Sequence, residues 1–224
     1  MVETFESLEG QVALVTGASE GLGAEVAERL AERGAVVFAA TRSMLDEPPE
    51  ETEHVVLDVT QEGDVEATVD GIFEEAGRLD VVVNAYEVKE LGMSVVGEPV
   101  DRLDRTLASN LRGPMLLLKH ALPLVLQNEG GRVVNVSSAM ASAEMGEKSP
   151  AYRVSKAGLD ALTAYLDAEF GDDGLLANAI YPREVAGEDE GYGEETAEDV
   201  VWAASFEAGG PSGNVYRARE NVKR

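Results

Sequence analysis

The amino-acid sequence predicts an α/β fold, a single doubly wound domain over residues 1–224 with a parallel sheet of about seven strands. Short apolar, β-branched runs alternate along the chain with segments whose apolar residues recur at helical spacing. Strict alternation of this kind implies right-handed crossovers and a sheet that helices cover on both faces. The length of 224 residues is enough to bury one large core. We therefore expect one domain without an interdomain linker.

The first two elements show the alternation most clearly. Residues 12–16 predict a strand that is buried on both faces. In the helix predicted next, Leu22, Val26 and Leu30 recur at i, i+4 and i+8, and Gly34 follows as a C-terminal glycine. The chain therefore begins with a strand–turn–helix unit.

The remaining elements follow the same pattern. The longest is a helix over residues 100–127, in which Pro114 and Pro123 predict bends because proline lacks an N–H donor. The predicted strands are 12–16, 36–40, 54–59, 80–84, 132–137, 175–180 and one near 214–216, and the predicted helices are 21–33, 61–76, 100–127, 150–170 and 197–206.

Composition excludes several classes of site. The chain has no cysteine, which rules out disulfides, thiolate zinc sites and a cysteine nucleophile, and two histidines are too few for a histidine metal site. We interpret His54 as a strand-edge residue and His120 as a residue of a helix surface or core. Neither an N-terminal signal pattern nor a membrane-spanning apolar run is visible, so we expect a soluble cytoplasmic protein without a membrane partner.

The net charge of −25, from 43 acidic and 18 basic residues, is extreme. It disfavours nucleic-acid binding, which needs clustered basic side chains. Self-repulsion of this size destabilises a fold in dilute buffer, whereas ~1 M salt shortens the screening length to ~3 Å and removes most of the effect. We therefore expect a protein of a salt-loving organism such as a halophilic archaeon, with a merely acidic mesophilic protein as the alternative.

Three glycines, Gly17, Gly21 and Gly23, lie between the first strand and the first helix. Small residues there let backbone N–H groups approach a pyrophosphate at the positive end of the helix. We assign these glycines, with Ser19 and Leu22 of the same turn, to a cofactor site. An ordinary glycine-rich turn is the alternative, since the spacing differs from the commonest dinucleotide fingerprint. The position at the first βα junction favours a Rossmann-type dinucleotide site.

The residue after the second strand predicts the choice between NAD and NADP. An acidic residue there binds the ribose 2′-hydroxyl of NAD, whereas an arginine can bind the 2′-phosphate of NADP. Arg42 stands at this position without an acidic neighbour, so NADP(H) is favoured and NAD(H) remains open. Glu20 argues the other way because its charge repels a 2′-phosphate, although concentrated salt weakens that repulsion.

Asp58 and Val59 lie at the end of the third predicted strand and are also assigned to the cofactor site. Asp58 could accept a hydrogen bond from the adenine amino group. It could equally cap the helix that begins near Gln61. Both interpretations stay open.

Tyr152 and Lys156 are four positions apart in a predicted helix and therefore lie on one face of it. There the ammonium group can stabilise a phenolate, which otherwise forms only near pH ~10. Taken alone, the two residues could be an exposed helical pair. Together with the glycine turn, they indicate hydride-transfer chemistry.

In the order of these features the chain resembles the short-chain dehydrogenase/reductase family, from Gln11 to about Tyr216. The segments that carry the resemblance are 16–23, 110–113, 133–138, 152–156 and 178–182. It implies an oxidoreductase that transfers a hydride between NADP(H) and a small-molecule carbonyl or secondary alcohol. It also implies a homo-oligomer, a tetramer or dimer, packed through the helices over 100–127 and 150–170.

The resemblance gives each member of a Ser-Tyr-Lys-Asn set a role. Tyr152 exchanges a proton with the substrate oxygen, and Lys156 lowers the pKa of Tyr152 and holds the nicotinamide ribose. Ser138, favoured over Ser137, hydrogen-bonds the substrate oxygen, and Asn110 anchors a water relay. The expected cofactor-binding residues are Gly17, Ser19, Gly21, Leu22, Gly23, Arg42, Asp58, Val59, Asn84, Tyr152, Lys156 and Pro182.

Two segments depart from the family pattern. Where the family has Asn-Asn-Ala-Gly after the fourth strand, this chain has a bulky residue in place of the glycine, in Asn84-Ala85-Tyr86-Glu87. After the sixth strand, Pro182 is followed by Arg183 instead of glycine. A short acidic substrate loop at about 183–195 lacks the threonine expected near Gly187. These departures motivate two alternatives: a catalytically impaired, nucleotide-binding sensor or scaffold, and, more weakly, a purely structural partner.

Overall fold

An eight-stranded sheet with helices on both faces forms the protein, which we describe from a computed structural model at residues 2–142, 148–183 and 194–222. Strands β1 to β7 pair in parallel, and β8 is antiparallel to β7. The predicted doubly wound α/β fold is confirmed. The strands are β1 (Val12–Thr16), β2 (Val36–Thr41), β3 (Glu53–Val56), β4 (Val81–Asn84), β5 (Arg132–Val136), β6 (Leu176–Ile180), β7 (Asn214–Arg217) and β8 (Glu220–Asn221). The helices are α1 (Gly21–Glu32), α2 (Glu62–Ala76), α3 (Val100–Leu107), α4 (Gly113–Val125), α5 (Pro150–Phe170) and α6 (Glu194–Ala204).

The strand order β3-β2-β1-β4-β5-β6-β7-β8 creates a switch point at the centre of the sheet. The chain runs outward from β1 to β3 and then crosses back, so that β4 pairs with the other side of β1. Connections leave β1 and β4 in opposite directions, and a crevice opens beyond the carboxyl ends of these two strands. Doubly wound sheets bind their ligands in this crevice.

The sheet has a hydrophobic core on each of its two faces. Successive side chains of a strand point to opposite faces. Ala13 and Val15 of β1 therefore join the core under α1 and α6, whereas Val12 and Leu14 join the core under α2 and α4. Because both faces are covered, the central strands are buried along their whole length, and most of their residues are apolar. The predicted stripe of α1, Leu22, Val26 and Leu30, is buried in the first core.

The helix predicted over residues 100–127 is confirmed from Val100 to Val125, but it is not α-helical throughout. A wide π-helical turn at Ala108–Arg112 divides it into α3 and α4. Pro114 lies in the first turn of α4, where its missing N–H removes no helical hydrogen bond. Pro123 is inside α4 and does not end it. Turns of this kind are frequent at functional sites, and apolar periodicity does not reveal them.

Other boundaries shift by a few residues. The third strand ends at Val56 instead of residue 59, and the short β8 adds an eighth strand to the seven expected. His54 lies on β3, the edge strand, with a ring nitrogen 2.7 Å from Thr41 Oγ1, as the strand-edge interpretation predicted. His120 lies on α4, and the distance from its Nε2 to a carboxylate oxygen of Glu62 is 3.4 Å.

In the part of the chain that the structure describes, no helix is both long and apolar enough to cross a membrane. Over the same residues, no group of three or more histidine, aspartate or glutamate side chains is placed to hold a metal ion.

The starts of β1 and β4 are joined by the buried carboxylate of Asp80. One of its oxygens accepts a hydrogen bond from the backbone N–H of Val12 at 2.9 Å. Both oxygens bind the guanidinium group of Arg78, at 2.8 and 2.6 Å. This contact sets the alignment of the two strands whose other ends form the crevice.

We predict that Asp80→Ala lowers the free energy of unfolding by about 2–3 kcal/mol, because it leaves a buried N–H and a guanidinium group without their acceptor. Urea denaturation at fixed high salt measures the change. Asp70→Ala removes the same charge from the exposed surface of α2 and should stay within about 0.5 kcal/mol of the parent protein. Equal effects of the two substitutions would contradict the prediction.

Candidate active site

Two clefts lie at the carboxyl edge of the sheet, on either side of the turn that follows β1. The first cleft is bordered by this turn and by the ends of β2 and the segment after β3; the second is bordered by the turn, the start of α1 and the segment after β4. Gly17, Ser19 and Tyr86 line both clefts. The crevice predicted from the strand order is thus the place where the sequence motifs meet.

The glycine turn is shaped by close backbone approaches. Gly17 has φ +73°, and a Cβ added to it would lie 2.7 Å from Tyr86 Cα. A Cβ added to Gly23 would lie 2.2 Å from the carbonyl oxygen of Gly17. Gly21, with φ +58°, has open space where a Cβ would be. Two of the three glycines therefore allow the chain to pack, and the third opens the turn to the cleft.

The start of α1 lines the second cleft. Glu20, the residue before α1, is exposed and its side chain makes no capping hydrogen bond. The first N–H groups of a helix have no partner within the helix, and their dipoles favour an anion. Ser19 is exposed beside them, whereas the side chain of Leu22 packs into the core.

Arg42 lies in the wall of the first cleft, where its Nη1 donates a hydrogen bond to the hydroxyl oxygen of Tyr86 at 3.0 Å. This hydrogen bond, followed by the weaker influence of Asp58, raises the pKa of Arg42 above its ordinary value. The guanidinium group therefore remains charged at any pH at which the protein is folded. Val59 is buried and lines the same cleft.

The carboxylate of Asp58 is held inside the turn before α2. Its Oδ1 accepts hydrogen bonds from the backbone N–H and the hydroxyl of Thr60, at 2.9 and 2.7 Å. Burial acts to raise the pKa of Asp58, but these hydrogen bonds and the charge of Arg42 outweigh it and lower the pKa. The residue that precedes α2 is Gln61, so Asp58 is not the cap of that helix. The adenine interpretation remains.

Tyr152 and Lys156 lie on the buried face of α5, at 1% and 2% relative exposure. The Lys156 ammonium group donates to the carbonyl oxygen of Val136 at the end of β5, at 2.8 Å. Its nitrogen is 5.6 Å from the centre of the Tyr152 ring. The alternative of an exposed helical pair is wrong, because both side chains are inside the site.

Glu87, one of two bulky residues that the sequence analysis noted in place of a glycine, makes contacts in this site that were not predicted. Its Oε2 accepts the hydroxyl hydrogen of Tyr152 at 3.0 Å and is 2.7 Å from Lys156 Nζ. The sequence showed only that a bulky residue had replaced a glycine nearby. The available signal in the sequence was a charged residue, Glu87, in the segment where the family pattern has a glycine.

Asn110, in the π-helical turn, fixes the backbone that carries Glu87. Its side-chain oxygen accepts from Val88 N at 2.7 Å, and its amide group donates to Val88 O at 2.9 Å and to Ser155 Oγ at 3.3 Å. The same segment is held from the other side by Thr16 Oγ1, which accepts from the N–H groups of Ala85 and Tyr86 at 3.1 and 3.2 Å. The predicted water relay at Asn110 stays a prediction.

The two serines after β5 point to different places. Ser137 is buried and donates to the carbonyl oxygen of Lys156 at 3.2 Å, which fastens α5 to the sheet. Ser138 is half-buried, and its Oγ accepts from Met140 N at 3.1 Å. Its hydroxyl hydrogen can still be donated elsewhere. The role of Ser138 as the serine that binds substrate stays a prediction.

Asn84 and Pro182, the remaining predicted cofactor-binding residues, are both buried. Asn84 is buried, and its amide group donates to Asn135 Oδ1 at 2.8 Å, within the sheet. Pro182 is buried after β6, and Arg183 binds the carboxylate of Asp199 at 2.9 and 3.0 Å. Residues 184–193, most of the predicted substrate loop and the position of Gly187, lie outside the described residues.

Comparison with known proteins agrees with this geometry. The short chain dehydrogenase family matches residues 11–198. An uncharacterised oxidoreductase of Bacillus subtilis is 33% identical over 184 residues, which cover 78% of this chain and 67% of the relative. A 2-dehydro-3-deoxy-L-rhamnonate dehydrogenase (NAD(+)) of a Sphingomonas strain is 34% identical over 182 residues, covering 77% and 71%. The ligand-free structure of Thermoplasma acidophilum aldohexose dehydrogenase superposes with a TM-score of 0.86 at 27% identity, over 95% of this chain and 94% of that one.

The fold and these relatives define an oxidoreductase with a Rossmann-like α/β architecture. The chain belongs to the short-chain dehydrogenase family, as the matched residues and the relatives above 30% identity show. The resemblance found in the sequence is confirmed at this level.

We predict that Gly17→Ala destabilises the protein by at least about 2 kcal/mol, because the added methyl group meets backbone at a positive φ. Gly71→Ala provides the matched control. Gly71 lies inside α2 with nothing within 4 Å of an added Cβ, so this substitution should stabilise by about 0.5–1 kcal/mol. Urea denaturation of both variants in the same salt tests the pair; a Gly17→Ala variant as stable as the parent would contradict the packing described here.

Proposed function

We propose that this protein transfers a hydride between NADP(H) and a small carbonyl or secondary-alcohol substrate. The observation that carries the proposal is the buried pair of Tyr152 and Lys156, whose polar ends meet one carboxylate oxygen of Glu87. Glu87 itself lines the cleft that contains the glycine turn. Reactive groups and a candidate dinucleotide site therefore share one crevice.

The residues present fit the pyrophosphate of a dinucleotide. The uncapped start of α1 offers backbone donors, and Gly21 leaves open space in front of them. Gly17 and Gly23 keep the turn compact, which a side chain at either position would prevent. These features support the assignment of Gly17, Ser19, Gly21, Leu22 and Gly23 to the cofactor.

NADP is the cofactor that Arg42 favours. Its guanidinium group lines the first cleft and matches the charge of a 2′-phosphate. Glu20 is exposed at the start of α1 and opposes this preference. The name of the Sphingomonas relative specifies NAD(+), so the preference varies among similar proteins. Asp58 and Val59 support the adenosine half in the same proposal.

In the proposed reaction, a bound nicotinamide would supply or accept the hydride. Tyr152 gives its hydroxyl proton to the substrate oxygen during reduction and takes a proton from it during oxidation. Lys156, fixed by Val136, places a positive charge beside the phenolate that reduction leaves. Ser138 donates a hydrogen bond to the substrate oxygen as negative charge grows there. Asn110 positions the segment before the cleft through Val88.

We predict that Tyr152→Phe reduces kcat/KM by about 10²–10⁴-fold on any carbonyl that the parent protein reduces, because the proton donor is lost. Tyr165→Phe removes a hydroxyl from the exposed face of the same helix and should leave turnover unchanged. Steady-state rates with NADPH in molar potassium chloride measure both variants. Full activity of Tyr152→Phe would contradict the assigned chemistry.

We predict that Arg42→Ala weakens NADPH binding by about 10–100-fold, the range expected for a lost charge-assisted contact, and leaves NADH binding unchanged. Titration of each nucleotide by nicotinamide fluorescence gives the two dissociation constants, with NADH as the internal control. An equal loss for both nucleotides, or tighter binding of NADH by the parent protein, would contradict the NADP assignment.

The net charge supports a proposal about the cellular setting, and exposed apolar side chains support one about the oligomeric state. A net charge of −25 supports a concentrated-salt cytoplasm, such as that of a halophile. Met115 on α4 and Val154 on α5 are exposed, which supports a homodimer or homotetramer packed through these helices. Leu118 and Leu122 of α4 pack against the sheet of their own chain.

A second candidate function is a nucleotide-binding sensor with impaired catalysis. It is favoured by Tyr86 and Glu87, which place side chains in the clefts where the family has glycine. This candidate requires dinucleotide binding without turnover on a broad carbonyl panel. Turnover that depends on Tyr152 excludes it.

A further inference from the structure

The carboxylate of Glu87 is a third charged or reactive group at the catalytic centre. One oxygen, Oε2, contacts both the hydroxyl of Tyr152 and the ammonium group of Lys156, at 3.0 and 2.7 Å. The first distance is that of a hydrogen bond and the second that of an ion pair. The hydroxyl and the ammonium group therefore share one carboxylate oxygen.

This contact uses hydrogens that the proposed reaction needs. A tyrosine hydroxyl has a single hydrogen, and in this structure Tyr152 donates it to Glu87. An ammonium group has three hydrogens, of which Lys156 directs one to Val136 and one to Glu87. Under the proposed function, the same hydrogens serve the substrate oxygen and the nicotinamide ribose.

The side chain of Glu87 can leave without movement of its backbone. The preceding residues, Ala85 and Tyr86, are held by the hydroxyl of Thr16, and the following residue, Val88, is held at both N–H and carbonyl by Asn110. The carboxylate lines the second cleft and is 12% exposed, so there is open space beside it. A change of rotamer toward this cleft would move the carboxylate away from Tyr152 and Lys156.

We propose that Glu87 is a side-chain latch that occupies Tyr152 and Lys156 in the free protein and that the nicotinamide half of the dinucleotide must displace. The proposal rests on the proposed function and identifies a residue that sets cofactor affinity. Only the fraction of molecules with the latch open binds the complete dinucleotide, and the apparent affinity falls by that fraction. The adenosine half would bind beside Arg42 in the first cleft, away from Glu87, and its affinity would not depend on the latch.

The latch also stabilises the free protein. The side chain of Lys156 is 2% exposed, and a buried ammonium group without a carboxylate beside it is unfavourable. Removing the carboxylate should therefore lower the stability of the free protein and raise its affinity for the dinucleotide. A residue that only supports the fold would lower both.

The test compares Glu87→Gln and Glu87→Ala with the parent protein in molar potassium chloride. Dissociation constants are measured for NADPH and NADH by nicotinamide fluorescence, and for ADP, which lacks the nicotinamide half, by calorimetry. Thermal unfolding of each free protein is recorded in the same buffer. Glu129→Gln, which makes the same change of charge at an exposed position before β5, at the opposite edge of the sheet, is the matched control.

We expect both Glu87 variants to bind the preferred dinucleotide about tenfold more tightly, as for a latch that is open in about one molecule in ten, and to bind ADP unchanged. Both should unfold at a lower temperature than the parent, and Glu129→Gln should match the parent throughout. Unchanged or weaker dinucleotide binding by both Glu87 variants overturns the latch. An equal gain in ADP affinity also overturns the latch. It would show that the loss of one negative charge, and not the release of Tyr152 and Lys156, tightens binding. If the parent and all variants fail to bind either dinucleotide, the proposed function fails, and the latch with it.

Discussion

The site depends on the close approach of two backbone segments beyond β1 and β4. Thr16, the last residue of β1, accepts hydrogen bonds from the two N–H groups that follow β4, and its own hydroxyl donates to Val83 O at 3.3 Å. Gly17 can then lie against Tyr86 only because it has no side chain. One contact therefore sets both the shape of the glycine turn and the place where Tyr86 and Glu87 enter the crevice. Without it, the glycine turn and the Tyr152–Lys156 pair would have no fixed relation.

The segment that this contact positions also supplies the charged group that lies beside Lys156. Lys156 is buried by the packing of α5 on β5, and Ser137 and Val136 hold the backbone and the ammonium group of that residue. A buried cation requires a partner, either from the protein or from a ligand. Glu87 meets the requirement in the free protein. In the family pattern a glycine stands near this position and cannot do so, which makes the carboxylate a property of this chain.

The sequence predicted the fold and the site to different depths. Alternating apolar runs were sufficient for the sheet, because buried strands and amphipathic helices such as α1 have strong local patterns. The π-helical turn at Ala108–Arg112 escaped prediction, since its apolar spacing resembles that of a continuous helix. Tyr152, Lys156 and the glycines were recognisable because their spacing is local. The contact of Glu87 with residues more than sixty positions away depends on the topology of the sheet, so no local pattern shows it.

An enzyme and a sensor built on this chain would differ at one side chain. Thr16 and Asn110 fix the backbone on either side of Glu87, so neither function requires the loop to open. If the carboxylate stays on Lys156 while the adenosine half is bound, Tyr152 keeps its hydrogen on Glu87 and no proton reaches a substrate. If the carboxylate swings away, the same tyrosine and lysine become available together, because they share one oxygen of Glu87. Under the proposed function, release of the two groups would therefore be a single event that couples cofactor binding to proton transfer.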